Sequence, residues 1–274
     1  MPSSPNALSG RAVPIDVLIP AIEKDLATLP HVVAGLRRHV RHPIRRILII
    51  APRRPKMLAF CKTHNCSFID ENTVLPIVKK DIHYRSRTWE RSGWLFQQLL
   101  KLSGDRLCTA DFFLVIDADT VLIRPHTFRR NGRTVLYCRN WSQEEYFRTY
   151  RKLMGSPKKA PTSFVTHYML FERRKLAQMK REMEARHGTS WYKAILRSMN
   201  RSRPFAFSEF ETYGNYLYST DRGGIIMRKA RNKSLNLSAS ALTASRTGAL
   251  AARYRSVSLH KRKDYSLKTK AGSR

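Results

Sequence analysis

The sequence predicts one α/β domain built on a mostly parallel sheet flanked by helices. Three observations predict it. Strand-length apolar runs alternate with helical periodicity from Ile15 onward, a pattern that implies parallel strands joined by right-handed crossovers. The run Phe112–Ile116 is β-branched and aromatic enough for a strand buried on both faces, and two carboxylates, Asp117 and Asp119, stand where it ends. The chain has 274 residues, enough for one large α/β domain with its own core.

Residues 1–14, rich in Pro, Ser and Gly, read as a flexible lead-in. Ile15–Pro20 is a short apolar strand. Glu23, Lys24 and Asp25 form a turn, after which Leu26, Leu29, Val33, Leu36 and Val40 recur at helical spacing with Pro30 in the opening turn. Ile44–Ala51 is a second strand ended by Pro52, Pro55–His64 a short helix, and Cys66–Asp70 a third strand. A helix is expected from near Thr88, with Leu95, Leu99 and Leu102 packing and Arg91, Gln97 and Lys101 on one face. That face reads equally as basic decoration of a crossover helix or as a substrate contact. Gly93 within it costs about 1 kcal/mol against alanine and marks close approach of a backbone or a ligand.

After the acidic strand, Thr134–Arg139 is a strand, and Ser142-x-x-Glu145 is a capping box opening a helix through Met154. Phe164–Glu172 reads as a strand with His167 in its middle. Arg173–Arg186 is a helix stopped by Gly188, Ser190–Met199 another, and Ser208–Tyr218 a further one. Beyond Asn232 the composition turns to Ser, Ala, Lys and Arg, with one helical segment expected over Ser238–Tyr254. The folded domain is expected to span 15–262, followed by a basic tail over 263–274.

Lys and Arg total 52 against 20 acids, a formal net charge of +32 spread along the chain. Such an excess suits nucleic acid, an acidic membrane surface or phosphorylated substrates, or is simply the habit of a basic proteome. No aromatic-basic module of the RRM or helix-turn-helix kind is present, so specific nucleic-acid binding is not expected. The alternative to an enzyme is nevertheless a basic nucleic-acid-binding protein. Cys61, Cys66, Cys108 and Cys138 lack zinc-site spacing and read as reduced, packing thiols. The N-terminus has no signal-like apolar core and no run of about eighteen apolar residues occurs, so a cytoplasmic chain, at most peripheral to an anionic membrane face, is expected.

Asp117 and Asp119 are hard oxygen ligands at a strand's carboxyl end, a placement that suits Mg²⁺ or Mn²⁺ holding the phosphates of a substrate. An apolar strand, Asp-x-Asp and Thr120 also match phosphatases of the haloacid dehalogenase type. That scheme places its motif in the first strand and needs a later Asp-Asp or Gly-Asp pair, whereas here three strands precede the motif and no such pair follows Asp119.

Three strands before the motif is the order of a nucleotide-binding half, and in this the chain resembles the GT-A glycosyltransferases. The likeness rests on IDVLIPAIEKD, RSGWLFQQLLKL and FLVIDADTVLIRP. FVTHYMLFE, SEFETYGNYL and SLH further resemble an uncharacterised bacterial group of these transferases, so that the likeness runs from Ile15 to His260. The resemblance implies a GT-A-like, Rossmann-type sheet. It implies a nucleotide diphosphate sugar as donor, expected to be UDP-linked, and a glycan or lipid-linked acceptor. Pro20, Ala21 and Lys24 would border the base and ribose, Arg91 would assist departure of the diphosphate, Asp119 would hold the metal, and Asp117 would touch the metal or the sugar hydroxyls. His260 matches the late histidine that closes the metal site in many members.

Glu209 and Glu211 are the closely paired acids after the motif, and an inverting transferase needs a carboxylate to accept the acceptor's proton. Ser208-x-x-Glu211 forms a second capping box. It commits Glu211 to backbone amides and leaves Glu209 as the freer base, whereas a retaining enzyme would need neither.

Overall fold

The structure, a computed structural model, describes residues 12–259. His260, the expected tail over 263–274 and residues 1–11 of the expected lead-in lie outside the described residues. The first half is β1 (Ile15–Pro20), α1 (Leu29–His39), β2 (Ile44–Ala51), α2 (Pro55–Thr63), β3 (Ser67–Asp70), α3 (Ser92–Lys101), α4 (Gly104–Leu107) and β4 (Phe112–Ile116). Pro30 sits in the first turn of α1, where its missing N–H would have had no partner anyway. A five-stranded sheet has the order β3-β2-β1-β4 and then β8 (Tyr168–Glu172), the first four parallel and β8 antiparallel to β4.

Alternation along the strands explains the two-sided core. Leu18, Phe113 and Val115 face one apolar cluster, while Val17, Ile19, Leu114 and Ile116 face the other. Burial on both faces is why β1 and β4 read as continuous apolar runs.

The rest of the chain departs more from expectation. β5 (Thr120–Leu122) follows β4 after the tight turn at Asp117–Asp119. β6 (Arg129–Arg130) and β7 (Arg133–Cys138) come next. α5 (Glu144–Met154), α6 (Arg173–His187), α7 (Trp191–Ser198) and α8 (Glu209–Thr220) then cover one face. β9 (Ile225–Lys229) pairs with β7. β10 (Asn232–Leu235), α9 (Ala244–Ala251) and β11 (Ser256–Leu259) end the described chain, and β10 and β11 join β5 in a small sheet. The helix expected over Ser238–Tyr254 is thus cut to α9, and strands stand on either side of it. Their short polar stretches become strands only because partners distant in sequence supply the ladder bonds.

Three local readings are corrected. α3 begins at Ser92 rather than Thr88, because residues 85–90 fold into a turn in which Ser86 N–H donates to Trp89 O at 2.8 Å, and the Glu90 carboxylate accepts from Ser92 N at 2.7 Å. Gly93 therefore lies in the first helical turn, and a Cβ there would meet the Lys79 side chain at 3.1 Å. The Ser142 capping box does not form: Gln143 is the N-cap, and Ser142 Oγ donates to Glu211 at 2.8 Å.

The cysteines are free thiols, three of them buried, and burial pushes Cys61 up to about 11 and Cys108 upward too. Cys61, Cys108 and Cys138 pack in the core. Among the described residues no helix is long and apolar enough to cross a membrane.

Candidate active site

The turn Asp117–Asp119 is held from four sides. Thr28, at the start of α1, donates its hydroxyl to Ala118 O at 2.8 Å, which ties the segment after β1 to the end of β4. Asp117 N–H donates to His167 O at 2.9 Å, Thr120 N–H to Asp117 O at 3.1 Å, and Leu259 N–H to Asp119 O at 2.9 Å. Thr120 Oγ1 lies 2.8 Å from Ser258 Oγ, locking β5 to β11. The loop after the first strand therefore opens beside the two carboxylates, as the crossover rule predicts.

Asp117 is the centre of a charge network. Lys101, the last residue of α3, places Nζ 2.5 Å from Asp117 Oδ1 and 2.6 Å from Glu209 Oε1. His167 Nδ1 lies 3.0 Å from Asp117 Oδ2. Lys101 and Glu209 are buried, with side chains 8% and 4% exposed, whereas Asp117 keeps 25% of its surface open. Burial would push Asp117 up, but Lys101 and His167 hold it well below the usual carboxylate range. Burial would likewise lower Lys101, and Asp117 and Glu209 instead raise it. Glu209 is the member pushed up, by burial and by Asp117, against the opposing pull of Lys101. One lysine between two carboxylates thus separates their proton affinities, a general way of assigning one group to stay ionised and the other to exchange a proton.

His167 is not mid-strand. It precedes β8 with φ of +69°, a left-handed conformation costly for a residue with a Cβ, and its carbonyl and ring are both directed to Asp117. Such strain persists where the surroundings over-determine it.

Asp25 is a further carboxylate in the segment after β1. It lies in the 3₁₀ turn Glu23–Ala27, its carboxylate accepts from Ile22 N at 2.9 Å, and burial together with Asp119 and Asp117 pushes it up to about 6. By sequence Asp25 is only a turn residue. Lys101, expected as basic decoration or as a substrate contact, is instead buried between two acidic partners that lie 16 and 108 residues away in sequence.

The remaining assignments divide. Pro20 and Ala21 are buried at the end of β1, Ala21 N–H donating to Ile50 O at 2.8 Å, and Lys24 is exposed in the turn that follows. Arg91 is buried against the rings of Trp94 and Phe205, at 4.7 and 4.0 Å, and donates to Pro204 O at 2.6 Å. Glu211 does not close a capping box. Ser208 Oγ accepts from Glu211 N at 3.2 Å, but the Glu211 carboxylate accepts from Ser142, Ser163, Phe164 N and Asn215. It fastens the loop before His167 to α8, which is a stronger commitment than the expected cap. His260 lies outside the described residues; its chain neighbour Leu259 is the residue bonded to Asp119.

The model of a family of unknown function, DUF6492, matches residues 22–253. The chain belongs to the DUF6492 family. No curated protein matches it in sequence. Among solved structures, mouse xyloside xylosyltransferase 1 in its apo form is similar with a TM-score of 0.51 at 10% identity, over 91% of this chain and 99% of that one. That likeness is one of fold, and it agrees with the GT-A-like sheet order found here. Two others have lower TM-scores. The galactosyltransferase LgtC with donor and acceptor sugar analogs gives 0.47 at 16% identity, over 89% of this chain and 87% of that one. The bifunctional glycosyltransferase WbbM gives 0.46 at 13% identity, over 93% of this chain and 47% of that one.

Proposed function

We propose that this DUF6492 member is a glycosyltransferase that moves a sugar from a nucleotide diphosphate sugar, UDP-linked in the first instance, to a glycan or lipid-linked acceptor. The observation that carries the reading is the Asp117–Lys101–Glu209 network at the carboxyl end of β4, facing the loop after β1. In sheets of this order that edge is where ligands bind.

The donor set fits a divalent cation. Among the described residues no group of three or more His, Cys, Asp or Glu side chains is already arranged around a metal position. Asp117 and Asp119 are nevertheless hard oxygen donors at the carboxyl end of β4, and that chemistry suits a divalent cation. Asp119 and Asp117, with His260 as a third candidate, would hold Mn²⁺ or Mg²⁺. Such an ion supplies neutralisation of the charge on a departing diphosphate.

The protein's own residues do the rest. Lys101 and His167 keep Asp117 ionised and oriented. Glu209, with its raised proton affinity, is the base for the acceptor hydroxyl if the anomeric centre inverts. Glu211 positions the loop that carries His167. Pro20, Ala21 and Lys24 border the nucleotide, and Arg91 assists departure of the diphosphate.

The test is metal-dependent hydrolysis across a panel of nucleotide sugars, beside thermal stabilisation by a nucleoside diphosphate with Mn²⁺. Asp119→Asn is expected to abolish both while the apo protein melts normally. Retention of full metal-dependent stabilisation by that variant would remove Asp119 from the metal site.

A further inference from the structure

A second site lies at the far end of the small sheet. Arg124, Arg228, Lys229, Arg231 and Arg255, with Met227, line an open groove of about 420 Å³. The five cations come from separate parts of the chain: the end of the β5 segment, the end of β9, the turn into β10 and the start of β11. Backbone bonds hold these parts together. Ile123 and Arg124 N–H both donate to Arg255 O, at 3.0 and 3.2 Å, and Arg255 N–H donates to Arg231 O at 2.9 Å. Arg231 has φ of +51°, an unusual left-handed turn for a side-chain-bearing residue.

Charge in this groove is uncompensated. None of the five cations forms an ion pair with a carboxylate among the described residues, although ten ion pairs form elsewhere. Arg255 donates one guanidinium nitrogen to Pro125 O, yet its Nε is buried with no hydrogen-bond partner. The field reaches inward: Arg255 and Arg228 add to the burial that lowers neighbouring His126. Like charges gathered without counter-ions repel, and a multivalent oxyanion relieves that repulsion while accepting several guanidinium hydrogen bonds at once.

The groove is separate from the candidate active site. β11 runs antiparallel to β5, with Ser256 opposite Leu122 and Ser258 opposite Thr120. Arg255 therefore lies at one end of this ladder and the Leu259–Asp119 bond at the other, about 13 Å away along the strand.

We propose that this groove is a binding site for a phosphoryl group, carried either by a soluble phosphorylated molecule or by an anionic lipid headgroup. The site does not depend on the transferase reading. Its test uses the full chain in EDTA, which silences any metal-dependent donor site, with inorganic pyrophosphate as the calorimetric probe. Vesicles of phosphatidylcholine with and without phosphatidylglycerol serve as the second probe.

The double variant Arg228→Glu/Arg231→Glu changes two exposed groove residues. A control, Lys56→Glu/Lys62→Glu on exposed positions of α2, alters net charge equally. Pyrophosphate affinity is expected to fall about tenfold or more in the groove variant, because charge-assisted hydrogen bonds are lost, and to stay within about twofold in the control. Should the double variant melt early, Arg231→Gln at the exposed turn gives the same comparison. Groove-dependent binding to phosphatidylglycerol vesicles assigns the site to a headgroup, and groove-dependent binding of pyrophosphate alone assigns it to a soluble ligand. If neither probe is lost selectively in the groove variant, or if groove and control variants lose both equally, the cations act only as dispersed charge and the site is overturned.

Discussion

Replacing Lys101 by Met removes the cation shared by Asp117 and Glu209 while keeping most of the side chain's volume. Breaking a buried ion pair from one side costs about 3–5 kcal/mol, because the partner charge is left in a poorly solvated place. Glu209 is 4% exposed and would feel this in full. Asp117 is 25% exposed and keeps His167, so its share is discounted for solvent. The lower end, about 3 kcal/mol, is therefore expected at pH 7. With an unfolding entropy of about 2.1 cal/mol/K per residue, this corresponds to a melting temperature lower by about 5 °C for a chain of this length.

The deficit has a pH signature. Without Lys101 the Glu209 carboxyl rises further above its unfolded value, so the folded variant binds an extra proton between those two values, and its stability recovers as pH falls through that window. Glu209→Gln in the Lys101→Met background removes one stranded charge and is expected to restore about half the loss, a coupling that a double-mutant cycle reads directly. The assay is thermal melting of the wild type, both single variants and the double variant at pH 7 and 5. A Lys101→Met variant that melts with the wild type, or a double variant whose losses simply add, would refute a shared buried cation.

Glu209→Gln is expected to fold and bind donor yet lose most of kcat. Glu211→Gln, which weakens bonds to Ser142, Ser163, Phe164 N and Asn215, should lose about 1–3 kcal/mol with a smaller effect on turnover; a reversed pattern in turnover and melting would exchange the two roles. His126 is fully buried, and its Nδ1 proton is committed to Arg124 O at 2.8 Å while Nε2 faces the Tyr168 hydroxyl at 3.1 Å. Burial pushes it down to about 3, so the unfolded chain binds the extra proton and stability falls as pH drops through the window from about 6.5 to about 3. Between pH 8 and 5 that amounts to roughly 2 kcal/mol, which His126→Asn should remove from the pH slope; parallel slopes for the two proteins would exclude it. Gly35→Ala sets a Cβ 2.8 Å from Leu122 O, a backbone atom of β5, and should cost about 1–3 kcal/mol by separating α1 from β5; an unchanged melting temperature would show that this contact has slack.

The first half of the sheet and the place of its acidic turn follow from local sequence. β1, the second half of β2 and β4 lie where their apolar runs indicate, because stretches buried on both faces carry the signal in nearly every residue. Pro30, Pro52 and Gly188 punctuate helices and strands by local backbone sterics, which need no partner. Asp117 and Asp119 were legible for the same reason: they end a strand whose position in the order was already clear.

Tertiary structure alone decided what those carboxylates touch. Lys101 meets Glu209 across 108 residues, and Glu211 leaves its expected cap for serines 48 and 69 residues away. β10 and β11 are short polar stretches without a strand signal of their own, and they become strands because β11 pairs with β5 and β10 with β11. A buried charge takes whichever partner the fold brings within hydrogen-bond reach, and that choice is made by packing between elements, about which local sequence spacing carries no information.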